Sequence, residues 1–165
     1  MKKGLIFGGV GIVLVAVAVI GTMFFMNSRS AQAEKAEPTP VHVEGKLGPT
    51  LALKDRVFNL APAGGQKHFL KMQTTIEFET TDPAWFKLTG KELEHALEEF
   101  EKDEIGALKD HIEDVITTVV SGKKVEEISS AEGKAALREE ILEAIHEEIH
   151  HPVAYRVFFT SFVTD

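Results

Sequence analysis

The first 26 residues contain the feature that most limits what this chain can fold into. From Gly4 to Met26 the sequence has no charged side chain. As a helix rising about 1.5 Å per residue, this run would be roughly 35 Å long, longer than the ~30 Å hydrocarbon core of a bilayer. A helix also satisfies its own backbone hydrogen bonds inside lipid. We therefore expect a single transmembrane helix at 4–26 that anchors one water-soluble domain in a membrane.

A cleavable signal peptide is the alternative for the same segment. Lys2 and Lys3 would form its basic start, and the small-x-small sequence ending at Ala33 resembles a cleavage site. The apolar run is longer than the ~7–15 residues usual in a signal peptide. We therefore favour an uncleaved anchor, with cleavage at Ala33 as the minority alternative.

The flanks of the apolar run bear on its orientation and its partners. Two lysines precede the run, and Arg29 and Lys35 follow it, so the bias in basic side chains is nearly balanced. The amino terminus and the adjacent lysines favour a cytoplasmic stub at 1–3 with the domain outside. Gly4 and Gly8 have a small-xxx-small spacing, which makes them candidate helix–helix contacts.

A linker separates the apolar run from the domain. Residues 27–47 are rich in alanine, glutamate and proline and bury too little apolar surface to order themselves. The remaining residues, 48–165, are enough for one modest core. The chain has 18 basic and 26 acidic side chains, a net charge of −8 with histidine neutral, which argues against non-specific binding of nucleic acid.

The patterns after the linker predict an α+β fold with a small, mostly antiparallel sheet and about three helices. Hydrophobic periodicity and turn residues place strands at 51–60 (with a turn at Lys54-Asp55), 68–79 and 153–163, and helices at 89–102, 103–120 and from about 129 to the residues before Pro152. Ser129 and Glu132 have the spacing of a capping box at the start of the third helix.

Two of the predicted strands differ in pattern. The strand at 68–79 alternates, with Leu70, Met72, Ile76 and Phe78 on one side and Lys71, Gln73, Thr75, Glu77 and Glu79 on a wet face. The final strand is apolar on both sides, with Tyr155, Val157, Phe159 and Val163 on one and Phe158 and Phe162 on the other. We expect an interior strand covered on both faces. The sharper alternative is that Phe158 and Phe162 form a docking patch for a partner.

A metalloprotease-like motif lies near the end of the third helix. His146, Glu147 and His150 match H-E-x-x-H, in which two histidines on one helix face hold zinc and the glutamate activates water. A catalytic zinc needs a third protein ligand, and no metzincin-type extension follows. The histidines also fall on the acidic side of the helix, opposite its apolar stripe. We therefore assign no metal, cofactor or catalytic residue, and keep a membrane-anchored zinc hydrolase as an alternative.

Three stretches together resemble the FliL family of flagellar basal body-associated membrane proteins. They are the strand HFLKMQTTIEFE at 68–79, the pattern S-x-E-G-K…L-R-E-E-I-L within 129–142, and the closing VFFTSFV at 157–163. With the anchor and the linker, the resemblance covers essentially the whole chain. The HEEIH sequence is not one of the family's motifs, so no role is carried onto it.

The resemblance implies a single-pass protein of the bacterial inner membrane whose periplasmic domain is similar to stomatin and prohibitin domains. It implies self-association into a ring-like homo-oligomer and a place at the flagellar basal body beside the stator proteins MotA and MotB. It also implies support of torque, swimming and swarming. A general stomatin-like membrane scaffold unrelated to flagella is the remaining alternative.

Overall fold

The computed structural model describes residues 39–165, in which four strands and four α-helices follow one another along the chain. Their bounds are β1 (Thr50–Ala52), β2 (Arg56–Asn59), β3 (Phe69–Phe78), α1 (Gly90–Phe100), α2 (Lys109–Ser121), α3 (Val125–Ile128), α4 (Ala131–Glu148) and β4 (Ala154–Thr164). A 3-10 turn at Trp85–Lys87 precedes α1, and a π-helical turn at Glu101–Ile105 follows it. The fold class is α+β with a small antiparallel sheet, as the sequence predicts.

Strand β3 is the centre of the sheet. Strands β1 and β2 pair in succession along one of its edges, with Thr50 opposite Glu77 and Arg56 opposite Met72. Strand β4 pairs along the other edge, and every pairing is antiparallel. The break between β1 and β2 falls at the predicted turn, so two short strands together match the length of β3.

A hairpin connects β2 to β3, as the sequence predicts. The loop contains Gly64 and Gly65, whose φ angles of +59° and +80° suit residues without a Cβ. Ala63 and Gln66 exchange backbone hydrogen bonds across the turn. The two glycines therefore let the chain reverse while its backbone groups stay paired.

The core lies between the helices and one face of the sheet. The predicted alternation of β3 is confirmed for its apolar side, because Leu70, Met72, Ile76 and Phe78 are all buried. They belong to one apolar cluster with the buried residues of α2 (Ile112, Val115, Ile116 and Val120) and of α4 (Leu137, Ile141 and Ile145). Because these strand residues share one face, the helices cover that face.

The start of α4 differs by one residue from the predicted capping box. Ser130 is the N-cap, and its hydroxyl oxygen accepts a hydrogen bond from the N–H of Gly133 at 2.9 Å. Ser129 instead ends the short helix α3, donating its hydroxyl to the carbonyl of Val125. Hydrogen bonds from its own backbone N–H and from the Ser130 hydroxyl hold the pKa of Glu132 below its usual value.

Strand β4 departs most from the prediction. Within residues 39–165 it pairs with β3 alone, so it is an edge strand and not an interior one. The register shifts between Gln73 and Thr74, where Thr160 is an extra residue on β4. Such a bulge moves the following side chains to the opposite face. Phe162 therefore lies on the helix-covered face, while Val163 faces outward and is 61% exposed.

The membrane-related predictions fall outside this part of the chain. The predicted helix at 4–26, its Gly4 and Gly8 contact and the possible cleavage at Ala33 lie outside the described residues. None of the helices between residues 39 and 165 combines the length and the apolar character needed to cross a bilayer.

Candidate docking surfaces

Helix α4 lies alongside β4 and runs in the opposite direction. The ammonium of Lys134 is 4.9 Å from the ring centre of Phe162, and the guanidinium of Arg138 is 5.0 Å from that of Phe159. At the other end of the pair, the ring of His146 meets the start of β4. As numbers rise along α4 they fall along β4, so a row of side chains on the helix follows the edge of the strand.

The space between them is a groove of about 360 Å³. It is lined by α4 residues Arg138, Glu139 and Leu142 and by the β4 run Tyr155 to Phe159. Further along β4, the rings of Phe159 and Phe162 pack with their centres 5.2 Å apart. Cations within about 6 Å of aromatic faces are attracted to the ring electrons. We call Lys134, Arg138, Phe159 and Phe162 the cation–aromatic row.

A buried carboxylate lies on the other face of β4. Glu77 is only 2% exposed, although the alternation places it on the wet side of β3. One of its oxygens accepts the N–H of Gly48 at 2.7 Å, and the other accepts Nε and Nη2 of Arg156 at 2.9 and 2.8 Å. These charge-assisted bonds tie the chain before β1 to β3 and fix Arg156 on β4.

The same region explains why position 48 is glycine. A Cβ built there would lie 2.4 Å from the carbonyl oxygen of Phe78, closer than real Cβ contacts come. The guanidinium of Arg156 in turn lies 5.2 Å from the ring centres of both Tyr155 and Phe158. The first half of β4 is therefore held in place by Arg156, which joins a buried carboxylate to two aromatic rings.

The two histidines of the H-E-x-x-H motif are in different settings. His146 lies in α4, and its Nε2 is 2.6 Å from the carbonyl oxygen of Ala154, so that nitrogen donates the hydrogen bond. The helix ends at Glu148, so His150 lies beyond it and does not share a helical face with His146. In the described part of the chain, no three His, Asp or Glu side chains lie close enough to hold a metal ion.

A second groove borders α1. Its volume is about 440 Å³, and its walls come from the segment before β1, the 3-10 turn and α1 itself: Lys46, Leu47, Gly48, Thr50, Trp85, Phe86, Leu88, Thr89, Leu93 and Leu97. Helix α1 is amphipathic, yet none of its residues is buried. Leu47 is 53% exposed. The apolar side of α1 is therefore only partly covered within this domain.

Comparison with known protein families gives a match over most of the described domain. The model of the flagellar basal body-associated protein FliL matches residues 50–164, from the first strand to the last. The chain belongs to the FliL family. A search of curated proteins finds no match.

The family match gives this FliL-family domain a flagellar basal body association. It covers all four strands and all four α-helices of the described residues. It thereby includes the groove beside β4 and the cation–aromatic row. It begins after the linker and leaves residues 1–49 unmatched, so the part of the α1 groove formed by residues 46–48 lies outside it. The FliL family is a flagellar accessory family.

The structure separates the two phenylalanines proposed as one docking patch. Phe158 is opposite Thr75, on the outer face with Arg156, and Phe162 is opposite Met72, on the helix-covered face. Both side chains are partly exposed. Any partner that touches both must therefore wrap around the free edge of β4. The role of these two side chains as partner contacts remains a prediction.

Sequence reasoning did not single out the cations of this surface. Lys134 and Arg138 are four residues apart and lie within the S-x-E-G-K…L-R pattern of the family resemblance. Side chains four apart share a helix face, so their proximity was readable from the sequence. The groups that Lys134 and Arg138 face could not be predicted from the sequence. They depend on the direction in which α4 passes β4 and on the bulge at Thr160.

Proposed function

We propose that this protein is a non-enzymatic accessory component of the flagellar motor that is anchored in the inner membrane and self-associates beside the stator. The observation that carries the proposal is the family match over residues 50–164. In this proposal residues 4–26 span the membrane, 27–47 form a linker, and the domain from 48 lies in the periplasm. Its stomatin- and prohibitin-like character and its contact with MotA and MotB come from the family resemblance.

Self-association has support in the surface of α1. Leu93, Ala96 and Leu97 form an apolar stripe that the domain itself leaves partly exposed. Exposed apolar surface of this kind is typical of sites that meet another protein. We propose that the stripe and the neighbouring groove are covered by a second copy of the chain, and that repeating this contact builds a ring around or beside the stator.

The physical role of such a ring is to favour one state of the stator. A protein shifts a two-state equilibrium only by contacting one state more favourably than the other. We propose that the ring contacts the engaged stator, and so supports torque in swimming and in swarming under high load.

Deletion of the gene is the first test of the flagellar role. We expect fewer and slower swimming cells and stronger loss of swarming, with filaments of normal number and length in electron micrographs. Complementation with the full-length chain should restore both. Normal swarming under high load in the deletion strain, with the protein shown to be absent, would refute the proposal.

Crosslinking tests self-association separately. The chain has no cysteine, so Glu94→Cys on α1 gives a single reactive site. Because each thiol forms one thioether, a bismaleimide joins at most two chains, and we expect a crosslinked dimer in native membranes. Leu97→Glu in the same background should remove that dimer. Lys71→Cys, on the outer face of the sheet, is the matched control and should give no crosslinked dimer. A crosslinked dimer that persists with Leu97→Glu would place the contact elsewhere.

A further inference from the structure

The outer edge of β4 presents unpaired backbone groups. Among the described residues no backbone hydrogen bond reaches that edge, and one side chain does, His146 at the carbonyl of Ala154. An open edge of this kind is a template for a further strand. The bulge at Thr160 and the capped carbonyl bound a regular run from Arg156 to Phe159. This run also forms one wall of the groove.

The charge beside this edge opposes that of the whole chain. The protein has a net charge of −8, yet Lys134 and Arg138 form no salt bridge with any described residue. Like charges four residues apart cost a helix a few tenths of a kcal/mol. Their positions over Phe162 and Phe159 keep both cations beside the strand edge. The edge therefore offers two positive charges that form no ion pair with a described residue, although the exposed Glu139 also lines the groove.

The spacing of these cations matches that of a strand. Four residues of helix rise about 6 Å, and alternate residues on one face of a strand are about 6.6 Å apart. Because α4 runs antiparallel alongside β4, carboxylates at alternate positions of an added strand would meet Arg138 and Lys134 in turn. A second copy pairing β4 with β4 would instead bring two sets of cations together, which is unfavourable.

We propose that the free edge of β4 binds a short, extended, acidic segment of a partner protein by strand addition. The backbone of the segment pairs with Arg156 to Phe159. The segment continues past the bulge, so that its carboxylates face Arg138 beside Phe159 and Lys134 beside Phe162. Its other side chains lie beside Phe158 on the outer face. This inference does not depend on the flagellar role, since it rests only on the open edge and the charges along it.

The test uses full-length protein in detergent and a fluorescein-labelled octapeptide in which glutamate alternates with threonine. Two control peptides accompany it: one with lysine in place of glutamate, and one with the glutamate sequence and N-methylated alternate backbone amides. By fluorescence anisotropy we expect the glutamate peptide to bind at least tenfold more tightly than either control. Threonine is used because it favours extended structure and keeps the peptide soluble.

Variants of the protein locate the site. Lys134→Glu with Arg138→Glu should weaken binding of the glutamate peptide at least tenfold. The matched control, Lys54→Glu with Lys67→Glu, makes the same charge change on exposed residues of the loops beside β2 and should alter it less than twofold. Circular dichroism of each variant confirms folding.

Any outcome other than these contradicts the inference. No measurable binding of the glutamate peptide refutes it outright. Binding that depends on charge but is unchanged by N-methylation shows electrostatic attraction without strand addition. If sedimentation shows that the peptide dissociates oligomers, and the Lys134 and Arg138 variants are monomeric without it, the edge is occupied by a second copy and the assignment to an acidic partner is wrong.

Discussion

Removal of Arg156 should destabilise the domain more than removal of the carboxylate it binds. Glu77 is 2% exposed, whereas the side chain of Arg156 is 49% exposed. Without Arg156, the carboxylate loses its positive partner and keeps only the N–H of Gly48, and water reaches it only through the space that the guanidinium leaves. Without Glu77, the guanidinium can be hydrated, and the main loss is the partner of that N–H.

The expected magnitudes follow from these environments. Breaking a buried ion pair so that one charge remains buried costs about 3–5 kcal/mol. Because Arg156 is half exposed and its removal admits some water to the carboxylate, we expect the lower end, about 3 kcal/mol, for Arg156→Ala. Leaving a buried backbone N–H without an acceptor costs about 1–3 kcal/mol, so we expect about 2 kcal/mol for Glu77→Ala. The double variant removes the stranded charge and should cost about 3 kcal/mol, well below the sum of the single changes. The difference measures the coupling of the pair.

Urea unfolding followed by circular dichroism measures these values. With a slope of about 2 kcal/mol per M, Arg156→Ala should lower the midpoint by about 1.5 M. Lys71→Ala is the control, because the pair of Lys71 with Asp55 is about half exposed on the same strand and should contribute less than about 1 kcal/mol. The reasoning fails if Arg156→Ala costs no more than this control, or if the double variant costs the full sum.

Three further results are expected. Gly133→Ala should lower stability despite alanine's higher helix propensity, because its Cβ would lie 2.0 Å from the carbonyl oxygen of Glu127; a raised melting temperature would contradict this. The pKa of Glu132 is lowered, so its stabilising contribution is present above its usual value and is lost as the pH falls through the lowered one. An NMR titration should show that pKa rising in Ser130→Ala, and no change would contradict the hydroxyl's role. His146→Ala should cost about 1 kcal/mol in urea unfolding through the lost bond to β4, and the parent protein should retain no zinc after dialysis; one retained equivalent that this variant loses would revive the hydrolase alternative.

The sequence predicted the local elements well where a pattern repeats over many residues. The alternation along β3 predicted its buried face, and the spacing of apolar residues predicted that helices follow it. The predictions were less accurate at the ends of helices and strands. The one-residue error at Ser130 arose because two adjacent serines both suit a cap, and only the short helix α3 decides which of them begins α4.

The sequence could not decide the environment of single polar residues. The pattern placed Glu77 on the wet face of β3, and it does point to that side. It is buried because Gly48 and Arg156, 29 residues before it and 79 after it, close over its carboxylate. No local pattern contains such distant partners. For the same reason, the sequence does not predict the environment of His146, whose hydrogen-bond partner is a backbone carbonyl on the next strand.

By itself, the sequence determined the α+β class, the central strand, the core sides of the helices and the family resemblance. These follow from periodicity and from motifs that local chemistry dictates. Only the tertiary structure decided that β4 is an edge strand, that the bulge at Thr160 turns Phe162 to the helix side, and that Lys134 and Arg138 lie along that edge. Strand pairing and the direction of α4 are choices among distant segments, and their outcome appears only when the whole domain is packed.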